Sequence, residues 1–419
     1  MRETSEWRLG RSALLATLAA ILLAVFCRVD PGLPDAVWYA LMAMGRTNEV
    51  LRPFCVRALS PLAASGLMHL GLSMERSFAV LGLAGVWFMT FCVGWLAKGS
   101  RRYWLTAMAG VLALPFFAKI YEASYLPDAV FGGLLAIYLL LLSRRRWAWA
   151  GVMLLVMFLA RETTLLVGAI AIVLVWRSAG RRPALLQAGG WAIGMATSKM
   201  LARRGLPNHH GLNDTLYMLG KVPWNLSRNV FGRQMWDNTT VQIPRPAVVH
   251  ALPHFLQMGA LREFGFRDFS PVLCEETAKY VLGGFGIGLV LLILVLKRLP
   301  RKVWWPREAV HLQICLVYGA ATFLLSPLLG ASVDRLVAYA WPLFFIYLVA
   351  MLGRAWSPER PQWQAWALLA VHIAVGWLPM ASLSDGMRFT AILAGYGVAA
   401  WIVFGMEPKH DPVANPNYI

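Results

Sequence analysis

Apolar residues in this chain come in long blocks, most of them closed off by a short cluster of Arg and Lys. A helix that crosses the hydrocarbon of a bilayer needs about 20 predominantly apolar residues. On that rule the pattern predicts twelve spans, near residues 12–27, 78–97, 104–118, 128–142, 147–160, 163–176, 184–201, 279–297, 309–329, 336–353, 363–380 and 388–406. Two segments break the rhythm, residues 28–77 after the first span and residues 202–278 between the seventh and eighth. The first carries Trp38, Leu41 and Met42, then Leu59, Leu62, Leu67 and Leu70, at helical spacings, which predicts one or two helices lying along a membrane surface. The second is rich in Pro, Asn, His and aromatic residues such as Trp224, Trp236, Phe255 and Phe264. It is too apolar for a disordered tail and predicts a packed cap with short helices. The expected fold is all-α and polytopic: one transmembrane domain over residues 1–419, about twelve membrane helices, interfacial helices in the first outer loop and a large outer loop between spans seven and eight.

Composition removes the main competitor. Of the 419 residues 58% are hydrophobic and only 14% charged, against about 25% charged in an ordinary soluble domain. The net charge of +18 raises the question of a nucleic-acid partner, and the placement of the charge answers it. With a cytoplasmic N-terminus, the inside segments hold 20 Lys and Arg, including Arg144, Arg145 and Arg146 in one tight turn. The short outside loops hold only Lys119, Arg161, Arg335 and Arg388. That bias follows the positive-inside rule. It predicts both termini in the cytoplasm, a multi-pass protein of the plasma (inner) membrane in contact with its lipids, and no nucleic-acid binding. The first apolar block, which follows Arg2, Arg8 and Arg11, reads as a retained first span, because no cleavage site stands clearly at its end.

Acidic residues follow the opposite geography, with 15 of 21 Asp and Glu on the outside or at outer span ends. A carboxylate beside hydrocarbon is costly, so such positions are functional candidates. Asp30, Asp35, Glu122, Asp128, Glu162, Asp334 and Asp385 all lie there. The five cysteines form no CxxC pair; Cys55 and Cys274 fall outside, where a disulfide is an option. His250 and His254 lack the Glu of a zinc HExxH pattern, so no metal site is assigned. No cofactor is implied either, although a divalent cation stays open. Asn208-His209-His210-Gly211 opens the second loop, and the two histidines are candidates for substrate or phosphate contact or for a plain polar cap. Three Asn-x-Ser/Thr triplets, at Asn213, Asn225 and Asn238, fit an outside location and nothing more.

The most specific segment is Asp35-Ala-Val-Trp-Tyr39-Ala-Leu-Met42-Ala-Met, followed by Pro53-Phe54-Cys-Val-Arg57-Ala-Leu59-Ser-Pro61. Together these resemble the first outer loop of bacterial members of the GT-C superfamily of integral membrane glycosyltransferases. Three later elements resemble the same family: Tyr121-Glu122 with Leu126-Pro127-Asp128-Ala129, Ala160-Arg161-Glu162-Thr163, and Asp334-Arg335-Leu-Val-Ala-Tyr339-Ala-Trp-Pro342, where Leu336 replaces the usual aromatic. The resemblance covers residues 12 to about 350. It implies transfer of a sugar from a polyprenyl-phosphate donor to a glycan, lipid or protein acceptor at the outer face of the membrane. Such chemistry needs a carboxylate to take the acceptor proton and cations for the leaving phosphate. Asp35 stands where the base would, with Asp30 in Val29-Asp30-Pro31 as the alternative and a structural role for both still open. Arg57, Arg161 and Arg335 are the phosphate candidates, because a guanidinium grips phosphate oxygens with paired hydrogen bonds. Glu122, Asp128, His209 and His210 complete the candidate substrate-binding set. Two other classes compete. An O-antigen ligase or polymerase type enzyme shares the span count but normally carries its large loop later in the chain. A lipid or solute transporter shares only the span count, and no internal repeat supports it.

Overall fold

Only a helix satisfies its own backbone groups inside a single membrane-crossing segment, and the apolar blocks fold accordingly. A computed structural model describes residues 5–33, 35–52, 54–96, 115–206, 222, 225–226, 228–237, 264–269, 271–330, 332–355 and 362–404. The principal helices are α1 (Ser5–Phe26), α2 (Ala36–Ala43), α3 (Leu59–His69), α4 (Met74–Leu96), α5 (Pro115–Glu122), α6 (Asp128–Ser143), α7 (Trp147–Ala160), α8 (Thr164–Ala179) and α9 (Arg181–Ala202). They continue with α10 (Pro271–Gly283), α11 (Gly288–Arg298), α12 (Val310–Leu329), α13 (Val333–Ala338), α14 (Leu348–Ala355), α15 (Gln362–Trp377) and α16 (Asp385–Phe404). Between α13 and α14 the chain runs on through one π-helical stretch, Leu343–Tyr347, so that Val333–Ala355 forms a single apolar span whose central residues, 336–353, are buried.

Among the described residues six helices are long and apolar enough to cross a membrane, and a seventh if the bent pair α10 and α11 counts as one span. This is a polytopic helical membrane protein. Large apolar side chains such as Val25, Phe26, Trp149, Ile193, Leu324 and Trp401 face outward around the bundle, as lipid-facing residues do. The expectation of twelve spans meets shorter rods. Helices α6, α7 and α8 have 16, 14 and 16 residues, and at about 1.5 Å per residue such rods reach less than the roughly 30 Å of hydrocarbon. Helix α9 has 22 residues, but Arg181, Arg182, Gln187 and Lys199 dilute its apolar run. Most of the predicted span 104–118 lies outside the described residues.

The helix ends sort by charge. Arg144 lies against the Trp95 ring at the end of α4, Arg298 lies against Phe404 at the end of α16, and Arg354 donates to the carbonyl of Val303. These contacts gather the basic clusters at one end of the bundle. Helices α6 and α7 are antiparallel neighbours joined by the Arg144–Arg146 turn, so Asp128 and Arg161 are carried to the opposite end.

The first long loop is built at that opposite end too. Two short helices, α2 and α3, form within this loop, where one or two were expected, and they sit on their own small core of Val29, Tyr39, Met42, Val50, Cys55, Phe78, Tyr121 and Tyr125. The start of the second loop docks on it: Arg52 Nε donates to the Ala202 carbonyl at 2.7 Å, and Leu51 pairs with Leu206. Cys55 is buried there, with its Sγ 3.9 Å from the Ala202 carbonyl, while Cys274 donates to the Val230 carbonyl; the disulfide considered from the sequence is not formed. Within residues 202–278 the described portions include short helical turns near Asn225 and Asn229 and an antiparallel ribbon, β1 (Arg233–Asp237) with β2 (Phe264–Phe269). The two asparagines donate to the Leu328, Pro327 and Gly330 carbonyls freed where α12 ends after Pro327. His209, His210, His250 and His254 lie outside the described residues.

Candidate functional site

Five separate stretches of chain bring charge to the end of the bundle opposite the arginine turns. Helix α2 begins at Asp35, the following segment supplies Arg57, α6 opens at Asp128, the turn between α7 and α8 carries Arg161 and Glu162, and α13 carries Asp334 and Arg335. Sequence logic explains the local geometry. Arg161 is extended at the C-cap of α7, so its side chain leaves the helix axis and turns toward α6. Pro127 immediately precedes α6 and leaves Asp128 at the first helical position, where a carboxylate is favoured by the free N–H groups.

At the centre is Asp128, only 3% exposed. Arg161 and the Tyr339 hydroxyl both bond its Oδ1, and Arg335 Nε lies 3.6 Å from its Oδ2. The Arg161 guanidinium also lies over the Tyr339 ring, 4.7 Å from its centroid. A second pair flanks this hub. Arg57 grips Glu162 with two nitrogens, Nε at 2.8 Å from Oε2 and Nη2 on Oε1, and its Nη1 donates to the buried Tyr39 hydroxyl at 2.8 Å. Burial weighs against the Arg57 charge, but Glu162 and Tyr39 outweigh it and hold the guanidinium well above the ordinary arginine value. Burial likewise pulls the Glu162 carboxyl upward, and Arg57 outweighs it and holds that group down at about 2. Arg161 has burial and then Arg57 against it, and is pushed down to about 9, still charged at neutral pH.

Asp35 is placed differently. It occupies the N-cap of α2 yet makes no side-chain capping bond. Its carboxylate is 36% exposed, with Oδ2 4.0 Å from Arg335 Nη2. Arg335 therefore stands between two carboxylates, the buried Asp128 and the open Asp35. Asp30, the alternative base, is engaged in its own turn: its Oδ1 accepts the Gly32 N–H at 2.8 Å, and its N–H donates to the Glu122 carbonyl at 2.8 Å. That is the turn-initiating role open to an Asp before proline.

Beside this network lies a cavity of about 290 Å³. Asp30, Glu122, Asp334 and Arg335 line it together with Lys119, and its remaining walls are mainly apolar, among them Ile120, Phe285, Val337 and Pro379. Lys119 donates to Asp334 Oδ2 at 3.1 Å and to the Tyr280 hydroxyl at 3.0 Å. Of the residues predicted from sequence, Asp35, Arg57, Asp128, Arg161 and Arg335 thus meet in one network, and Asp30, Glu122 and Arg335 face the cavity. Asp128 and Arg161, proposed from sequence as ligand contacts, are buried against each other and Tyr339, and Asp128 also faces Arg335. Lys119 and Tyr280 were missed. The available signal was one lysine inside the apolar run Phe116-Phe117-Ala118-Lys119-Ile120, a placement too costly to be idle.

Among the described residues no three His, Cys, Asp or Glu side chains are placed to hold a metal ion. A divalent cation, left open by the sequence, finds no ready ligand set there. No family model matches the chain, and no curated protein does.

Proposed function

We propose that the chain is a GT-C-like glycosyltransferase of the plasma membrane, moving a sugar from a polyprenyl-phosphate donor to a glycan, lipid or protein acceptor at the outer face, with about twelve membrane segments and both termini cytoplasmic. The observation that carries this reading is the Asp35–Arg335–Asp128 arrangement, an open carboxylate and a fixed guanidinium beside a cavity at the acidic end of an apolar bundle. Transfer needs a base for the acceptor hydroxyl and a cation for the phosphate oxygen that departs with the electron pair of the cleaved glycosidic bond. Asp35 takes the proton. Arg335, aimed by Asp128, stabilises the leaving phosphate, and a cation fixed in a water-poor site acts more strongly than one at an open surface.

The test uses purified protein in proteoliposomes with a panel of polyprenyl-phosphate sugars, reading release of polyprenyl phosphate. Arg335→Lys should keep the fold and lower turnover about 10²-fold, because lysine keeps the charge but loses the planar, two-pronged grip. Unchanged turnover would make Arg335 a headgroup anchor and remove the phosphate step from this site.

One observation favours a second reading, a lipid or solute transporter. Helices α10 and α11 form an apolar pair bent by 52° at the break between Gly283 and Gly288, and interrupted helices are common at transporter binding sites. Release of polyprenyl phosphate without movement of labelled sugar lipid between leaflets decides for the transferase, and the reverse result decides for the transporter.

A further inference from the structure

Lys119 and Asp334 are joined across the cavity wall, from α5 to α13, and each side chain is 31% exposed. Neither is sealed in as Asp128 and Arg161 are. The lysine ammonium has three donors; two go to Asp334 and Tyr280, and the Tyr280 ring lies 4.8 Å below the charge. Arg335, the next residue after Asp334, lines the same cavity with a buried Nε that makes no hydrogen bond. Two cations therefore border one space: Arg335, which also faces Asp128 and Asp35, and Lys119, which is occupied by the single half-exposed carboxylate of Asp334. Phe285, Val337 and Pro379 continue the wall as apolar surface. Two other acids face the space, but Asp30 is held by the Gly32 N–H, and Glu122 is solvent-exposed, where water screens it. The half-buried charges that a ligand would meet are Lys119 and Arg335.

We propose that Asp334 is a built-in counterion: it occupies Lys119 when the cavity is empty and is displaced by an amphiphile with an anionic oxygen head, whose head then bridges Lys119 and Arg335 while its apolar part lies along Phe285, Val337 and Pro379. Such a contact sets a threshold. A neutral amphiphile cannot break a charge-assisted hydrogen bond, whereas a phosphate head replaces it with two. Binding of this kind does not depend on which reaction Asp35 performs, so it stands or fails separately from sugar transfer.

The test is direct binding of radiolabelled dodecyl phosphate to the full-length protein in maltoside micelles, with inorganic phosphate and dodecyltrimethylammonium as competitors. Lys119→Met should weaken dodecyl phosphate at least tenfold. Asp334→Asn, which keeps shape but removes the competing charge, should tighten it about three- to tenfold, on the order expected for losing one charge-assisted contact. In the double variant the gain from Asp334→Asn should vanish, since there is no lysine left to release. Unchanged thermal unfolding of each variant in the same micelles shows that the fold is intact, and Lys119→Gln, which removes the charge but keeps a polar chain and should likewise weaken binding at least tenfold, replaces Lys119→Met if that variant unfolds. Inorganic phosphate should compete only weakly, marking the apolar part as necessary. Three results would overturn the assignment: Asp334→Asn weakening binding as much as Lys119→Met, free phosphate binding as tightly as dodecyl phosphate, or preferential binding of the cationic amphiphile.

Discussion

Arg57, largely covered within the first loop, keeps its charge because Glu162 accepts two of its hydrogen bonds and Tyr39 a third. Removing one member of such a pair leaves the other desolvated and unmatched, which costs more than the pair contributes. Glu162→Gln should therefore destabilise the protein by about 2–3 kcal/mol, less than for a fully sealed pair because Glu162 is partly exposed. Thermal unfolding in detergent reads this, and Arg57→Met in addition should restore part of the loss. The pH dependence has a definite sign. The Glu162 carboxyl sits at about 2 in the fold against an ordinary 4.5, so its contribution is complete above 4.5 and is lost as pH falls from 4.5 toward 2. A wild-type protein that loses no stability in that window relative to Glu162→Gln would contradict the pairing. At this scale the sequence was informative for residues whose cost is visible locally. Arg57, Arg161 and Glu162 are charges at the ends of apolar runs. Tyr280 carries no such cost, and its bond to Lys119 crosses 161 positions of chain, which no local pattern reveals.

Helices hold these residues in place by close backbone approach. A Cβ added at Gly85 in α4 would run into the backbone carbonyl of Ala129 in α6, and one at Gly133 would stand 2.9 Å from the Gly85 Cα. Small residues at a crossing let two membrane helices pack through their backbones. Ala129 is the neighbour of Asp128, so the crossing fixes the hub carboxylate as well. Gly85→Val should push α4 and α6 apart, cost about 1–3 kcal/mol of stability, and lower the activity of the folded fraction. Retention of both would show that the Asp128 cluster is held from elsewhere. The existence of most helices was legible from apolar blocks, and α2 and α3 from the spacing of Trp38 to Met42 and Leu59 to Leu70. What the blocks did not reveal is length. Trp147–Ala160 is apolar enough to count as a span yet only 14 residues long, because the arginine turn before it and Arg161 after it close the helix at both ends. Nor does a hydropathy pattern distinguish a straight rod from α10 and α11, where glycines bend the path.

For the whole molecule, the segregation of charge predicts its orientation. The acidic end carries Asp35, Asp128 and the docked start of the second loop, and the basic end carries Arg144 to Arg146. With Cys27 and Cys274 replaced by serine, Asn48→Cys should react with a membrane-impermeant maleimide on intact cells, and Arg145→Cys only after the inner face is opened. Reversed labelling would put the site on the cytoplasmic side, where a lipid-linked donor exposed at the outer face cannot reach it. The convergence of five distant stretches on one end was readable in outline, since acids gathered at predicted outer ends. Their assembly around Asp128 was not, because it depends on tertiary crossings such as that of α4 with α6.

The central claim is that Asp35 removes the acceptor proton, and the most direct measurement is single-turnover sugar transfer by Asp35→Asn beside Asp30→Asn. A positioned carboxylate base contributes about 10² to 10⁴ in rate. Asp35→Asn keeps size and polarity and removes no capping bond, so expression and donor binding should persist while transfer falls by at least about 10²-fold. Asp30→Asn, at a residue engaged by the Gly32 N–H, should cost little of the transfer rate. Near-normal transfer by Asp35→Asn, with the loss appearing at Asp30→Asn or at neither position, would contradict the account.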